Sequence, residues 1–104
     1  MKNTIKNEKQ FIAPTYVRPE IVFTHGEGVH LYDTDGNQYL DFCAGIAVNA
    51  LGHSDPDWVA AVSEQAGKLT HVSNLYHTAP AVQLAERLVN SSFASKVFFA
   101  NSGA

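Results

Sequence analysis

Ile21-Val22-Phe23-Thr24-His25-Gly26-Glu27-Gly28-Val29-His30-Leu31-Tyr32-Asp33-Thr34-Asp35-Gly36-Asn37-Gln38-Tyr39-Leu40-Asp41-Phe42 is the stretch that decides how this chain reads. Three short runs rich in β-branched and aromatic residues, Ile21 to Phe23, Val29 to Tyr32 and Gln38 to Phe42, alternate with two clusters of turn formers. Gly26-Glu27-Gly28 separates the first pair. Asp33-Thr34-Asp35-Gly36-Asn37 separates the second, with Gly36 free to take positive φ. Runs of this length with such punctuation predict an antiparallel meander.

Downstream the pattern changes. Cys43 to Gly52 is small and apolar without a clear period, the composition of a segment buried close to other backbone or to a ligand. Ser54-Asp55-Pro56 then starts a helix: Asp55 suits the N-cap and Pro56 the first helical position, where a missing N–H costs nothing. Trp58, Val59, Val62 and Ala66 follow at helical spacing, so this helix is predicted to run to about Lys68. After the polar and aromatic link His71 to Tyr76, Thr78 before Ala79-Pro80 is a second N-cap candidate, and Val82, Ala85, Leu88 and Val89 give a second helix ending near Asn90. Lys96-Val97-Phe98-Phe99-Ala100 is a continuous apolar run, expected to be a strand buried on both faces, as in a parallel sheet. Upstream, Met1 to Gln10 is polar, with Lys2, Lys6 and Lys9 and no apolar run behind it, which predicts a flexible terminus and not a secretory or transit peptide.

Composition narrows the function classes. The 104 residues are 45% hydrophobic and 16% charged with a formal net charge of −3, which excludes a disordered tail. Seven Lys and Arg make an electrostatic nucleic-acid binder unexpected, and no apolar run approaches the length of a membrane span. Cys43 is the single cysteine, so there is no disulfide framework; with no partner base in view it is expected to be a small buried residue. The five histidines form neither HxH nor HExxH, and no metal site is expected. Asp33, Asp35 and Asp41 lack the later ligands of a calcium loop and read as solvated turn residues. His53, beside Gly52 and ahead of a helix cap, reads as structural. Asn101-Ser102-Gly103-Ala104, directly after the expected strand, could be an ordinary strand-to-helix turn or a small loop whose N–H groups approach a phosphate.

Taken as whole strings, the segments carry more. Gly26-Glu27-Gly28, Leu31-Tyr32-Asp33, Gly36 and Tyr39-Leu40-Asp41-Phe42 resemble the opening of the class III, fold type I, pyridoxal-phosphate-dependent aminotransferases. Ala44-Gly45-Ile46-Ala47-Val48-Asn49-Ala50-Leu51-Gly52-His53 resembles the acetylornithine branch, as do His71-Val72-Ser73-Asn74-Leu75-Tyr76 and Val97 to Ala104. The resemblance covers about residues 12–104.

The resemblance implies an α/β fold. An N-terminal stretch (1–11) precedes the start of a small domain with the meander and apolar loop (12–55). A helix and linking segment (56–77) then lead into the start of a large pyridoxal-phosphate-binding domain (78–104), the whole being the N-terminal part of a longer enzyme. It implies pyridoxal 5'-phosphate as cofactor, its phosphate held by Ser102, Gly103 and Ala104. Tyr16 and Ile46 are implied as substrate contacts. An isoleucine at position 46, where ornithine aminotransferases carry a tyrosine, fits the acetylornithine or 4-aminobutyrate branches. The implied reaction is transfer of the ω-amino group of N-acetylornithine to 2-oxoglutarate, in arginine biosynthesis. The implied setting is a cytoplasmic homodimer, or a mitochondrial or plastid one in a eukaryote, with small-molecule substrates and neither nucleic acid nor membrane as partner. No catalytic residue is assigned: the family's cofactor-bearing lysine lies in a later segment, and Lys2, Lys6, Lys9, Lys68 and Lys96 lie outside that motif, so the 104 residues alone are expected to be inactive. Gly52-His53-Ser54-Asp55-Pro56 departs from the Gly-His-x-His-Pro of many relatives, a change expected to affect helix initiation and not catalysis. The alternatives are a 4-aminobutyrate, ornithine or succinylornithine aminotransferase and, in another class, a small non-catalytic binding protein.

Overall fold

The computed structural model describes residues 2–103. The chain divides into two compact units, 1–66 and 67–104. The first holds helix α1 (Lys2–Phe11), strands β1 (Phe23–Glu27), β2 (His30–Asp33) and β3 (Gln38–Leu40), the short turn α2 (Ala44–Ala47) and most of helix α3 (Pro56–Lys68); the second holds helix α4 (Ala79–Asn90).

The three strands form one antiparallel sheet in the order β1-β2-β3, the meander expected from the sequence. Glu27 pairs with His30, so Gly28 and Val29 alone make the first turn, with glycine at the first central position at φ 53°. Pairing steps from Phe23↔Asp33 to His25↔Tyr32, leaving an irregularity at Thr24. Cross-strand pairs reinforce the sheet. Phe23 and Tyr39 meet edge to face at 5.3 Å between centroids, and His25 stacks on Tyr32 at 4.6 Å.

Helix α3 starts as the sequence requires: Pro56 leads, and the Trp58 amide donates to Asp55 Oδ1 at 2.8 Å. At α4 the expected cap is only half present. Thr78 occupies the N-cap in extended conformation, but its side chain makes no capping bond; only its carbonyl engages, accepting from the Val82 amide at 3.3 Å.

Four expectations need correction. Residues 2–11 form a helix and not an irregular terminus; they lack glycine and proline, and Arg18–Glu8 and Lys9–Glu20 ion pairs tie the helix to the segment after it. Lys96–Ala100 forms no strand, and Phe98 stays 86% exposed, because no strand among the described residues offers it a partner to pair with. Residues 45–51, expected to be buried, are largely exposed, as is Cys43. Asp33 and Asp41 are not solvated turn residues: Asp33 is 7% exposed, no hydrophobic side chain among the described residues being as well buried, and the Asp41 side chain is likewise 7% exposed, against His53.

Candidate functional site

Two carboxylates organise the first unit. Asp33 Oδ1 accepts the Asp35 and Asn37 amides, each at 2.9 Å, and Oδ2 accepts Asn37 Nδ2 and the Tyr39 hydroxyl, also at 2.9 Å. Four donors on one ionised group favour its charged form, and the Asn37 side chain contributes most. The Asp33 carboxyl is held down to about 2, below its ordinary 3.8, against the opposing effect of desolvation. The same bond pushes the Tyr39 phenol up. This is the device that closes the β2–β3 turn.

Asp41 does the corresponding work at the end of β3. Its Oδ1 accepts the Cys43 amide at 3.0 Å and the Ala44 amide at 2.9 Å, while Oδ2 accepts His53 Nε2–H at 2.7 Å. The His53 bond and then the Ala44 amide hold the Asp41 carboxyl below its ordinary value. An ionised acceptor requires the proton on Nε2, so this bond also settles which ring nitrogen is the donor.

His53 is itself seated on the hairpin. Its amide donates to the Gly28 carbonyl at 2.8 Å and its carbonyl accepts the Gly28 amide at 2.9 Å, a two-bond bridge. A Cβ on Gly26 would stand 2.6 Å from His53 Cγ, and one on Gly52 would stand 2.7 Å from the Gly28 oxygen. Ser54 Oγ donates to the Gly26 carbonyl at 2.8 Å. The glycines of two separate sequence motifs, 26–28 and 52, therefore serve one close approach.

Between Asp41 and His53 lies the least ordinary backbone in the molecule. All four residues of α2 have positive φ: Ala44 at 46°, Gly45 at 64°, Ile46 at 63° and Ala47 at 61°. With ψ of 33° at Gly45 and 54° at Ile46, the turn is left-handed. Its internal bonds run from the Ala47 amide to the Cys43 carbonyl and from the Val48 and Asn49 amides to the Ala44 carbonyl. Three non-glycine residues in this region cost about 1–2 kcal/mol each, and the cost is steepest for the β-branched Ile46. Ile46 is 87% exposed, so no packing from the other described residues offsets it. Strain of this kind concentrates at functional positions. Beside the turn, Val48, Leu51, His53 and Trp58 line an open hollow of about 530 Å³.

Of the site residues expected from the sequence, Tyr16 is 74% exposed and lines a groove of about 680 Å³ between α1 and residues 12–23, with the Arg18 guanidinium 5.6 Å from its ring centre. Ile46 sits on the left-handed turn and does not line that groove. Ser102 and Gly103 are exposed in the second unit, and Ala104 lies outside the described residues. The Asp41–His53 pair was not assigned a role from the sequence. Twelve positions of separation hide it, and the only signal was the coincidence of glycines at 26, 28 and 52.

Comparison with known proteins places these features in context. The pattern of the family described as Aminotransferase class-III matches residues 11–104. The mitochondrial acetylornithine aminotransferase of Alnus glutinosa is 53% identical over 98% of this chain and 23% of its own length. That of Rhodobacter capsulatus is 56% identical over 88% of this chain and 23% of its own. Among solved structures, N-acetylornithine aminotransferase from Stenotrophomonas maltophilia superposes with a TM-score of 0.83 at 44% identity, covering 95% of this chain and 26% of that one. Plasmodium falciparum ornithine delta-aminotransferase superposes with a TM-score of 0.86 at 28% identity, covering 91% and 25%. The chain thus spans about a quarter of the length of the curated relatives it matches.

Proposed function

We propose, because this chain belongs to the class III aminotransferase family, that the protein it serves moves the ω-amino group of N-acetylornithine to 2-oxoglutarate. The observation that carries the reading is the 53% identity to an acetylornithine aminotransferase, sustained over 98% of the chain. An isoleucine at position 46 supports the acylated donor. An exposed apolar side chain beside a free α-ammonium would strip water from a charge without replacing it, whereas an acylated nitrogen carries no charge to desolvate. In the setting proposed, the enzyme is a homodimer in the cytoplasm, or in the mitochondrion as the name of the Alnus relative has it, and it serves arginine biosynthesis.

Pyridoxal phosphate, when bound, supplies the electron sink for the amino-group transfer. The donor set at the end of the chain suits its phosphate: a Ser102 hydroxyl and the amide of Gly103, around which a Cβ would meet nothing within 4 Å, so an anion can reach the backbone. Ser102 and Gly103, with Ala104, would hold the phosphate. Tyr16 and Ile46 are each proposed as a substrate contact, Ile46 excluding water and charge from the α-nitrogen of the donor.

The test is glutamate formation from N-acetylornithine and 2-oxoglutarate by the whole protein with pyridoxal phosphate, in parallel with ornithine and 4-aminobutyrate. The expected result is turnover with kcat/KM highest for N-acetylornithine. Equal or higher kcat/KM for ornithine would move the protein to the ornithine branch. Absence of turnover with any donor would favour a non-catalytic binding protein.

A further inference from the structure

We infer, resting on the reading of an aminotransferase that prefers an acylated donor, that Asp41 and His53 are a positioning pair for that preference: together they latch both ends of residues 42–52 so that the left-handed turn holds Ile46 in place. Three observations point to it. First, one carboxylate joins the two ends: Oδ1 binds the amides that open the turn and Oδ2 binds the imidazole beyond it. Second, His53 is not a free tether. Its backbone is doubly bonded to Gly28 at the hairpin tip and its ring fills the space Gly26 leaves open, so the latch is referred to the sheet. Third, the restrained segment is strained, since it holds Ile46 at a φ that β-branched residues avoid. A strained turn keeps its form only where its surroundings over-determine it. The carboxylate–imidazole bond is the contact that spans the loop.

The pair would not touch the reacting atoms. Its contribution is to keep an apolar side chain where an acylated nitrogen fits and a charged one does not. Loss of the latch lets the turn relax toward ordinary backbone, carrying Ile46 away. Discrimination should then fall mainly through a higher KM for the acylated donor, with kcat largely retained.

The test compares the whole protein, charged with pyridoxal phosphate, with His53→Ala, His53→Gln and Asp41→Asn. Glutamine keeps an N–H at about the reach of Nε2; alanine removes it. In His53→Ala, hydrogen exchange at the Val48 and Asn49 amides should quicken about tenfold or more while Val59 to Val62 of α3 change little. The kcat/KM ratio of N-acetylornithine to ornithine should fall about tenfold. His53→Gln should recover both readouts, which a purely steric role for the ring would not allow. Asp41→Asn, close in shape, should shift both in the direction of alanine, and it carries the test if His53→Ala does not fold. Unchanged exchange in His53→Ala and Asp41→Asn overturns the latch. Faster exchange with an unchanged ratio overturns its role in donor choice, as does an equal loss of kcat for both donors without rescue by glutamine. If the unaltered protein makes no glutamate from N-acetylornithine, the proposed function fails and the role in donor choice fails with it, while the exchange readout still decides whether the latch exists.

Discussion

Replacing Gly52 with alanine should open the contact between the hairpin tip and residue 53. Gly52 sits at φ 82°, and a Cβ there would lie 2.7 Å from the Gly28 oxygen, 3.1 Å from its carbonyl carbon and 3.2 Å from its Cα. All three atoms are backbone, so no side chain can swing aside. Left-handed strain costs about 1–2 kcal/mol, forcing a methyl into occupied space a further 1–3 kcal/mol or so, and the stiffer unfolded chain returns about 0.4–1 kcal/mol. The net cost is about 1–4.6 kcal/mol, which is roughly 5- to 2,400-fold in a local opening equilibrium. It falls on two bonds, Gly28 amide to His53 carbonyl and His53 amide to Gly28 carbonyl. Amide exchange at Gly28 and His53 is therefore the assay, with acceleration in that range up to the unprotected rate. Gly67→Ala is the control, because a Cβ at this helical residue meets nothing within 4 Å. Less than threefold acceleration at both amides in Gly52→Ala would refute the close-approach argument.

Asp33 carries a pH prediction. Its folded value, about 2, lies below its ordinary 3.8, so its contribution to the β2–β3 turn is complete above about pH 4 and is lost as pH falls through about 2. The Asn37 amide shift should titrate with a midpoint near 2, and Asp33→Asn should remove the transition; a midpoint near 3.8 would refute the four-donor account. The second prediction concerns Val97 to Phe99, which form no strand here. Their amides should exchange at nearly unprotected rates in the isolated 104-residue chain, and strong protection in a dilute monomer would restore the sequence expectation of a paired strand.

What the sequence disclosed and what it hid follow from the range of the forces involved. The meander, the start of α3 at Asp55-Pro56 and the end of α4 at Asn90 rest on nearest-neighbour chemistry; the helix ends are where that chemistry puts them, whereas β1 runs over Phe23–Glu27 and takes in Gly26 and Glu27, expected in the turn, in place of Ile21 and Val22. Helix α1 escaped because its support comes from outside its own ten residues, through Arg18 and Glu20. The strand at 96–100 was inferred from apolarity, but apolarity states only what a segment prefers to touch; pairing needs a neighbour that sequence alone does not place. The handedness of residues 44–47 was illegible for a related reason. Nothing in Ala-Gly-Ile-Ala selects positive φ at three non-glycine residues, and the conformation is imposed by Asp41 and His53 on either side.

That last case bears on how the first unit holds together. The chain is 45% hydrophobic, yet among its described residues no hydrophobic side chain is buried, and neither α3 nor α4 has a buried residue. Within this quarter-length chain, apolar burial, ordinarily the dominant stabilising term, does not fix the geometry of residues 23–55. Fixed polar contacts do so: four donors on Asp33, three on Asp41, and a doubly bonded backbone bridge at Gly28. Hydrogen bonds of this kind are directional, whereas apolar contacts tolerate sliding and repacking. A segment meant to present one side chain at a set place, on strained backbone, needs restraints of the directional kind. The same choice makes the geometry sensitive to single-atom changes: a proton on Asp33, a missing N–H at His53 or a methyl on Gly52 each removes one of these restraints.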